Sequence, residues 1–227
     1  MSVPKKFGIV FVVIGAVLIA SALLLFLYNE REDALAGMQS EEVLSEVHAA
    51  IAARKEIKHN AAETLPDNNE TAEPTAETEP EEKELPAVEV QGYSCIGVLS
   101  VPGIEIELPV LSDWDYVRLT VAPCRQFGSS RTDDLVIAAH NYSSHFGSLS
   151  KLELGAEIIF MDMDGIENRY ELKRLVTLAP YAVDEVQYSG YDLVLYTCTP
   201  GGRTRVVAFC DRVAEATVNT ENTIMQK

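Results

Sequence analysis

The chain has 227 residues and a formal net charge of -17, from 35 acidic and 18 basic residues. This length allows one domain with accessory segments. The acidic balance argues against a nucleic-acid-binding protein, because such proteins need a basic surface to displace the counterions of phosphates. The apolar fraction of 47% is enough to bury a core, so wholesale disorder is excluded. Four cysteines are too few for a disulfide-dense scaffold.

Residues 1–28 contain a predicted membrane anchor. Two lysines precede an uncharged apolar run from Phe7 to Tyr28, which as a helix spans about 33 Å, enough to cross a bilayer core. A cleaved signal peptide is the alternative, because the small residues 20–22 resemble a cleavage site. The run continues past that point, which favours an uncleaved anchor. The positive-inside rule places the lysines in the cytoplasm and the rest of this single-pass protein outside the cell.

Residues 29–58 predict a helical stalk, and residues 59–86 predict a disordered linker. Leu44, Val47 and Ile51 recur at helical spacing among strong helix formers, and Leu35 and Met38 can extend this stripe. The stripe can dock on the later domain or on another protomer, or the helix can be a solvated stalk, since the pattern alone does not choose a partner. The linker holds four prolines, nine acids and one lysine, which is typical of an extended chain.

Residues 87–217 predict a β domain, and residues 218–227 are left as a C-terminal tail. The turn sequence Asp162-Met163-Asp164-Gly165 predicts a hairpin, which explains its carboxylates better than a calcium site does. No long amphipathic helix interrupts the strand signals, so a mainly-β, antiparallel barrel or sandwich is expected. The strand signals, rich in Val, Ile, Leu and Tyr, are Cys95–Val101, Ile104–Val110, Leu135–Ala139, Glu157–Met161, Arg169–Thr177, Tyr191–Thr197 and Arg205–Arg212.

Cys198 and His140 are the candidate catalytic pair. Each stands at the end of an apolar strand signal, directly before a loop, where catalytic side chains are often displayed. A catalytic cysteine and histidine are neighbours in space rather than in sequence. Arg203 and Arg205 follow closely, and an arginine near a thiol can favour the thiolate and bind an oxyanion. The structural alternative is that His140 caps a strand and Cys198 is a small core residue.

The motifs around these residues resemble those of sortases, the cysteine transpeptidases of Gram-positive cell surfaces. The sortase signature Thr-Leu-x-Thr-Cys reads Val194-Leu195-Tyr196-Thr197-Cys198 here, with valine in place of the first threonine. The segment 137–141 matches the family's strand-then-His-Asn pattern, with Ala139 where glycine is usual. The stretches 108–110 and 122–125 look most like class B sortases and their relatives.

This resemblance implies a closed or nearly closed eight-stranded β-barrel, preceded by the transmembrane helix and the stalk. It implies that Cys198 attacks a sorting signal similar to Leu-Pro-x-Thr-Gly and that His140 acts as general acid and base. The acceptor would be an amine of a peptidoglycan cross-bridge or of a pilin. One arginine would stabilise the oxyanion, and Thr197 and Arg203 are candidate substrate-binding residues. No metal or other cofactor is expected.

Alternatives stay open within this interpretation. Arg205 is favoured over Arg203 for the oxyanion because it opens an apolar strand, whereas glycines make the chain before Arg203 loop-like. His145 is a weaker alternative to His140, because it lies inside the loop. Cys124 and Cys210 can pair in an oxidising exterior, although sequence does not fix the required geometry.

Two other functions also remain. The domain can be a barrel that has kept the fold without chemistry and serves as a binding or scaffold module, or it can be a cysteine protease. Because all candidate chemistry lies after Ala87, residues 1–28 are expected only to tether the protein. A chain that starts near Ala87 is therefore expected to be soluble and active.

Overall fold

The computed structural model describes residues 5–63 and 84–213. A single uninterrupted helix, α1, covers Lys5–Glu63, so the predicted anchor and stalk are continuous and the helix extends into the predicted linker. Residues 64–83 of that linker and the whole predicted tail lie outside the described residues. The strands are β1 (Val88–Val90), β2 (Tyr93–Val101), β3 (Ile106–Leu111), β4 (Cys124–Phe127), β5 (Leu135–Ala139), β6 (Glu157–Asp162), β7 (Glu167–Leu178), β8 (Leu193–Cys198) and β9 (Arg205–Arg212). Two short helices, α2 (Tyr116–Leu119) and α3 (Val183–Gln187), and 3-10 turns at Pro102–Ile104 and Leu149–Lys151 lie between strands.

Eight strands close into a β-barrel. Their order is β2-β3-β4-β5-β8-β9-β7-β6, and β6 pairs back with β2. Strand β1 adds a short edge beside β2. The expected eight-stranded barrel is therefore confirmed. The expectation of an antiparallel barrel is wrong at two places, because the pairs β3–β4 and β5–β8 are parallel. The seven strand signals correspond to β2, β3 and β5–β9, whereas the short strands β1 and β4 carry too few residues for a recognisable pattern.

Alternation along the strands decides which residues enter the barrel. The interior of the barrel holds every second residue of the central strands, namely Leu135, Ile137 and Ala139 of β5, Leu193 and Leu195 of β8, and Ala208 and Cys210 of β9. The residues between them, such as Val136, Val194 and Val207, belong to a separate cluster on the outer face. A side chain at the end of one of these strands therefore faces out of the barrel if it lies an even number of positions from one of these outer-face residues.

The second half of α1 packs on the outside of the barrel. Val43, Val47 and Ile51 are buried together with Val90, Cys95, Val98, Leu111, Leu119, Val121, Ala122, Cys124, Ala138 and Met163; we call this group the outer core. The structure therefore adopts the docked alternative rather than a solvated stalk.

The proposed extension of the stripe to Leu35 and Met38 is wrong, because these side chains are 43% and 67% exposed. The buried positions before Val43 are Ser40 and Ala36, which continue the same helical spacing with small side chains.

Ion pairs fix the carboxyl-terminal part of α1 to the β6–β7 turn. Arg54 and Lys58 contact the Asp164 carboxylate at 2.9 and 3.0 Å, and Arg131 contacts Asp162 and Asp164 at 3.2 and 3.1 Å. Burial raises the pKa of Asp164, but these partners outweigh it and lower the pKa to about 2. Asp162 and Asp164, for which calcium binding was the alternative interpretation, are thus paired with arginine and lysine side chains of the protein.

The first part of α1 is apolar and exposed. Within residues 5–63 and 84–213, the stretch that begins at Gly8 is the one helical segment long and apolar enough to cross a membrane. The apolar side chains between Ile9 and Tyr28 are exposed in the isolated chain.

Candidate active site

His140, Cys198 and Arg205 lie in one row across three neighbouring strands. Strands β5 and β8 are parallel, and their last pair joins Ala139 to Thr197, so His140 and Cys198 follow side by side. Strands β8 and β9 are antiparallel, and Cys198 pairs with Arg205. Adjacent strands are about 4.8 Å apart. The barrel therefore brings together three side chains that the sequence separates by up to 65 positions.

These three side chains lie on the outer face of the barrel wall, in a cavity of about 260 Å³. The cavity is walled by aromatic and aliphatic side chains from the α2 region, the segment after β7 and the outer faces of β8 and β9. They include Trp114, Tyr116, Leu119, Leu178, Val183, Val186, Tyr196 and Val207. The cavity thus combines an apolar wall with a few polar groups, as ligand sites commonly do. Sequence reasoning missed this wall, although Trp114 and Tyr116, two aromatic residues close together between β3 and β4, were a signal for it.

A tight loop between β8 and β9 sets Arg205 opposite Cys198. The Thr199 N–H donates to the Thr204 carbonyl at 3.0 Å, and their hydroxyls are 2.9 Å apart. Gly201 and Gly202 adopt φ values of 82° and 71°, a region that glycine enters without steric cost. This glycine pair lets the chain reverse within a few residues.

The two candidate arginines are placed differently. Arg205 Nη1 donates to the carbonyls of Gly202 and Thr204, both at 3.0 Å, so the loop fixes its guanidinium at the edge of the cavity. Arg203 is exposed and does not line this cavity. The structure therefore favours Arg205 as the arginine of the site, in line with the sequence argument.

Thr197 faces the interior of the barrel. Its side chain is 3% exposed, and Oγ1 donates to the Ala139 carbonyl at 2.8 Å. Thr197 does not line the cavity, so the prediction that it binds substrate directly is withdrawn. Its hydrogen bond instead ties β8 to β5 immediately before Cys198 and His140, which supports the site.

Two histidines occupy different environments after β5. Partial burial lowers the pKa of His140 below its usual 6.5, which favours the neutral imidazole at pH 7. His145 is fully buried, and neither ring nitrogen has a hydrogen-bond partner among the described residues. Burial and the neighbouring His140 lower its pKa to about 4. The Asp33 carboxylate and the Val121 backbone act on this pKa in the opposite direction and more weakly. His140 lines the cavity and His145 does not, so His140 stays the candidate histidine of the site.

The other three cysteines are buried free thiols. Cys95, Cys124 and Cys210 lie within the packed clusters, and burial raises the pKa of each to about 12. Strands β5 and β8 separate the strand of Cys124 from that of Cys210, which is too far for a disulfide. The alternative of a Cys124–Cys210 bridge is therefore wrong. Cys198 is the partly exposed cysteine, as a nucleophile must be.

The sequence model of the sortase domain matches residues 99–213, which is half of the chain and contains the whole row of His140, Cys198 and Arg205. The chain belongs to the sortase family. The family expectation is thereby confirmed.

Solved structures also resemble this sortase. Sortase C of Streptococcus pneumoniae shares 22% identity over 76% of this chain and 97% of its own, with a TM-score of 0.52. Sortase C1 of Streptococcus suis shares 24% identity over 54% and 75%, with a TM-score of 0.47. The Sortase D5 transpeptidase of Clostridium perfringens shares 17% identity over 53% and 79%, also at 0.47. No curated protein sequence matches.

At 22% identity, the structure of the Streptococcus pneumoniae sortase C supports the fold of this chain and nothing further. The expected likeness to class B therefore stays a prediction.

Proposed function

We propose that this sortase is a membrane-anchored cysteine transpeptidase that cleaves a sorting signal similar to Leu-Pro-x-Thr-Gly. The observation that carries the proposal is the alignment of His140, Cys198 and Arg205 in one row that lines an apolar cavity. We propose Cys198 as the nucleophile, His140 as the general acid and base, and Arg205 as the residue that stabilises the oxyanion. The aliphatic and aromatic walls suit the leucine and proline side chains of such a signal.

The first half of the reaction forms a thioester. The Cys198 sulfur attacks the carbonyl carbon of the Thr–Gly bond while the neutral His140 accepts the thiol proton. The Arg205 guanidinium stabilises the resulting oxyanion. The C–N bond then breaks, and His140 returns the proton to the leaving glycine amine. The lowered pKa of His140 suits this order, because a neutral ring must receive a proton before it can donate one.

The second half of the reaction transfers the acyl group. An amine of a peptidoglycan cross-bridge or a pilin attacks the thioester carbonyl, His140 accepts its proton, and the Cys198 sulfur leaves and is reprotonated. The apolar part of α1 anchors the chain in the cell membrane with residues 29–227 outside, since the lysines precede the apolar run.

The test is acyl-enzyme capture with a peptide that contains Leu-Pro-x-Thr-Gly. Intact wild-type protein should gain the mass of the amino-terminal fragment at Cys198, and an added amine should release it as an amide product. Cys198→Ala should form no adduct, whereas Cys95→Ala is the matched control and should still form it. An adduct on another cysteine would contradict the assignment of the nucleophile. Hydrolysis unaffected by amine would indicate a cysteine protease, and no adduct at all would indicate an inactive scaffold.

A further inference from the structure

A carboxylate of α1 binds the loop that carries the candidate catalytic histidine. We call residues 140–147 the histidine loop. The Asp33 carboxylate accepts hydrogen bonds from the N–H groups of Ser143 and Ser144, at 3.0 and 3.2 Å, and from both hydroxyls, with the Ser144 contact at 2.8 Å. Asp33 lies five positions after Tyr28, where the apolar run ends. The loop is therefore attached to the segment that emerges from the predicted membrane anchor.

The backbones of helix and loop also approach closely at this point. A Cβ atom on Gly37, one turn after Asp33, would lie 3.1 Å from the Ser144 Cβ, which is tighter than ordinary packing. The neighbouring Ala36 and Ser40 are buried. A helix with small residues here can bring the Asp33 carboxylate within reach of the loop backbone.

The histidine loop transmits its position to His140. The Phe146 N–H donates to the His140 carbonyl at 3.1 Å, and the Tyr142 carbonyl accepts from the N–H groups of His145 and Gly147. The Tyr142 ring packs against both imidazoles, with centroid distances of 4.8 Å to His140 and 5.5 Å to His145. Within residues 5–63 and 84–213, the His140 ring has no side-chain hydrogen-bond partner, so Tyr142 and the loop backbone set its orientation.

We propose that Asp33 is a positioning residue that holds the histidine loop against α1 and thereby orients His140 for proton transfer. This inference rests on the proposed function for the role of His140. It makes the helix that follows the membrane anchor part of the catalytic apparatus rather than a passive tether.

The carboxylate is charged under working conditions. Partial burial raises the pKa of Asp33, but the hydrogen bonds from Ser143 and Ser144 outweigh it, so the pKa lies below its usual 3.8. The ionised Asp33 carboxylate thus accepts four hydrogen bonds from two consecutive residues. A neutral side chain at position 33 accepts fewer of these hydrogen bonds.

The test compares Asp33→Ala with Glu41→Ala in the full-length protein in detergent. Glu41 is an exposed carboxylate on the same helix, so its removal matches the change in charge. Asp33→Ala should lower kcat about 10- to 100-fold, the scale of a misplaced catalytic group, while KM stays within about twofold. The amides of Ser143 and Ser144 should exchange faster with deuterium. Asp33→Asn, which keeps one acceptor oxygen, should fall between wild type and Asp33→Ala, and Glu41→Ala should change neither readout.

Further controls separate positioning from general stability and from the proposed function. Asp164→Asn loosens the other end of α1 and should lower the thermal midpoint without lowering kcat; an equal kcat loss there would overturn the inference. Unchanged amide exchange or unchanged kcat in Asp33→Ala would also overturn it. If the wild type does not cleave the peptide, the proposed function fails. The NMR signal of the His140 ring then tests the positioning role of Asp33 without any need for activity. A shift in Asp33→Ala but not in Glu41→Ala supports the positioning role, and no shift overturns it.

Discussion

Truncation of Ile51 tests whether the docked half of α1 is an integral part of the folded domain. Ile51 is 3% exposed and belongs to the outer core, whereas Ile57 on the same helix is 67% exposed. Ile51→Ala removes three carbons at about 0.8 kcal/mol each, or about 2.4 kcal/mol in total. The cavity left behind brings the expected loss in free energy of unfolding to about 2–5 kcal/mol. Ile57→Ala deletes the same atoms from an exposed site and is the matched control, because both variants share the small gain in helix propensity.

The assay is urea unfolding of the full-length protein in detergent, followed by the fluorescence of Trp114, the single tryptophan. At a slope of about 2 kcal/mol per molar urea, Ile51→Ala should lower the midpoint by about 1–2.5 M. Ile57→Ala should stay within about 0.5 kcal/mol of wild type, as surface substitutions do. If both variants stay within that margin, the barrel does not depend on α1 and the reasoning is refuted.

Three further predictions concern the site and the domain boundary. Arg205→Ala should lower kcat by about 10²–10³-fold, the scale of one lost oxyanion donor, whereas Arg203→Ala should cost much less, because Arg203 is exposed and does not line the cavity; steady-state kinetics of both variants decide, and a larger kcat loss at Arg203 reverses the assignment. Burial lowers the pKa of His145 from 6.5 to about 4, so the unfolded chain takes up a proton on this residue at a higher pH than the folded chain does. About 3 kcal/mol of stability should therefore be lost as pH falls from 6.5 to 4. His145→Leu should flatten this part of the curve in urea titrations at several pH values, and an unchanged slope would contradict the burial argument. A chain starting near Ala87 should aggregate or unfold because it exposes the outer core, contrary to the expectation from sequence, whereas a chain starting at Asn29 should give a single cooperative transition; equal stability of the two would show that α1 is dispensable.

Much of the barrel and its candidate site followed from local sequence. Alternating apolar residues between turn signals indicated the longer strands, since a half-buried strand must repeat every two residues. Cys198 and His140 stood out because each ends such a strand before a loop. The short strands β1 and β4 had no comparable pattern. The buried stripe of α1 was extended wrongly to Leu35 and Met38, because apolar type was followed where small size was the property that allowed contact.

The sequence by itself determined the candidate site residues, the apolar helix and the longer strands, because these depend on side-chain type and on periods of a few residues. Only the tertiary structure decided which of these elements meet. The parallel pairing of β5 with β8 places His140 beside Cys198, and the tight β8–β9 loop places Arg205 opposite it. The contact of Asp33 with Ser143 spans 110 positions. No local pattern encodes such a contact, since it depends on the path of the whole helix across the closed barrel.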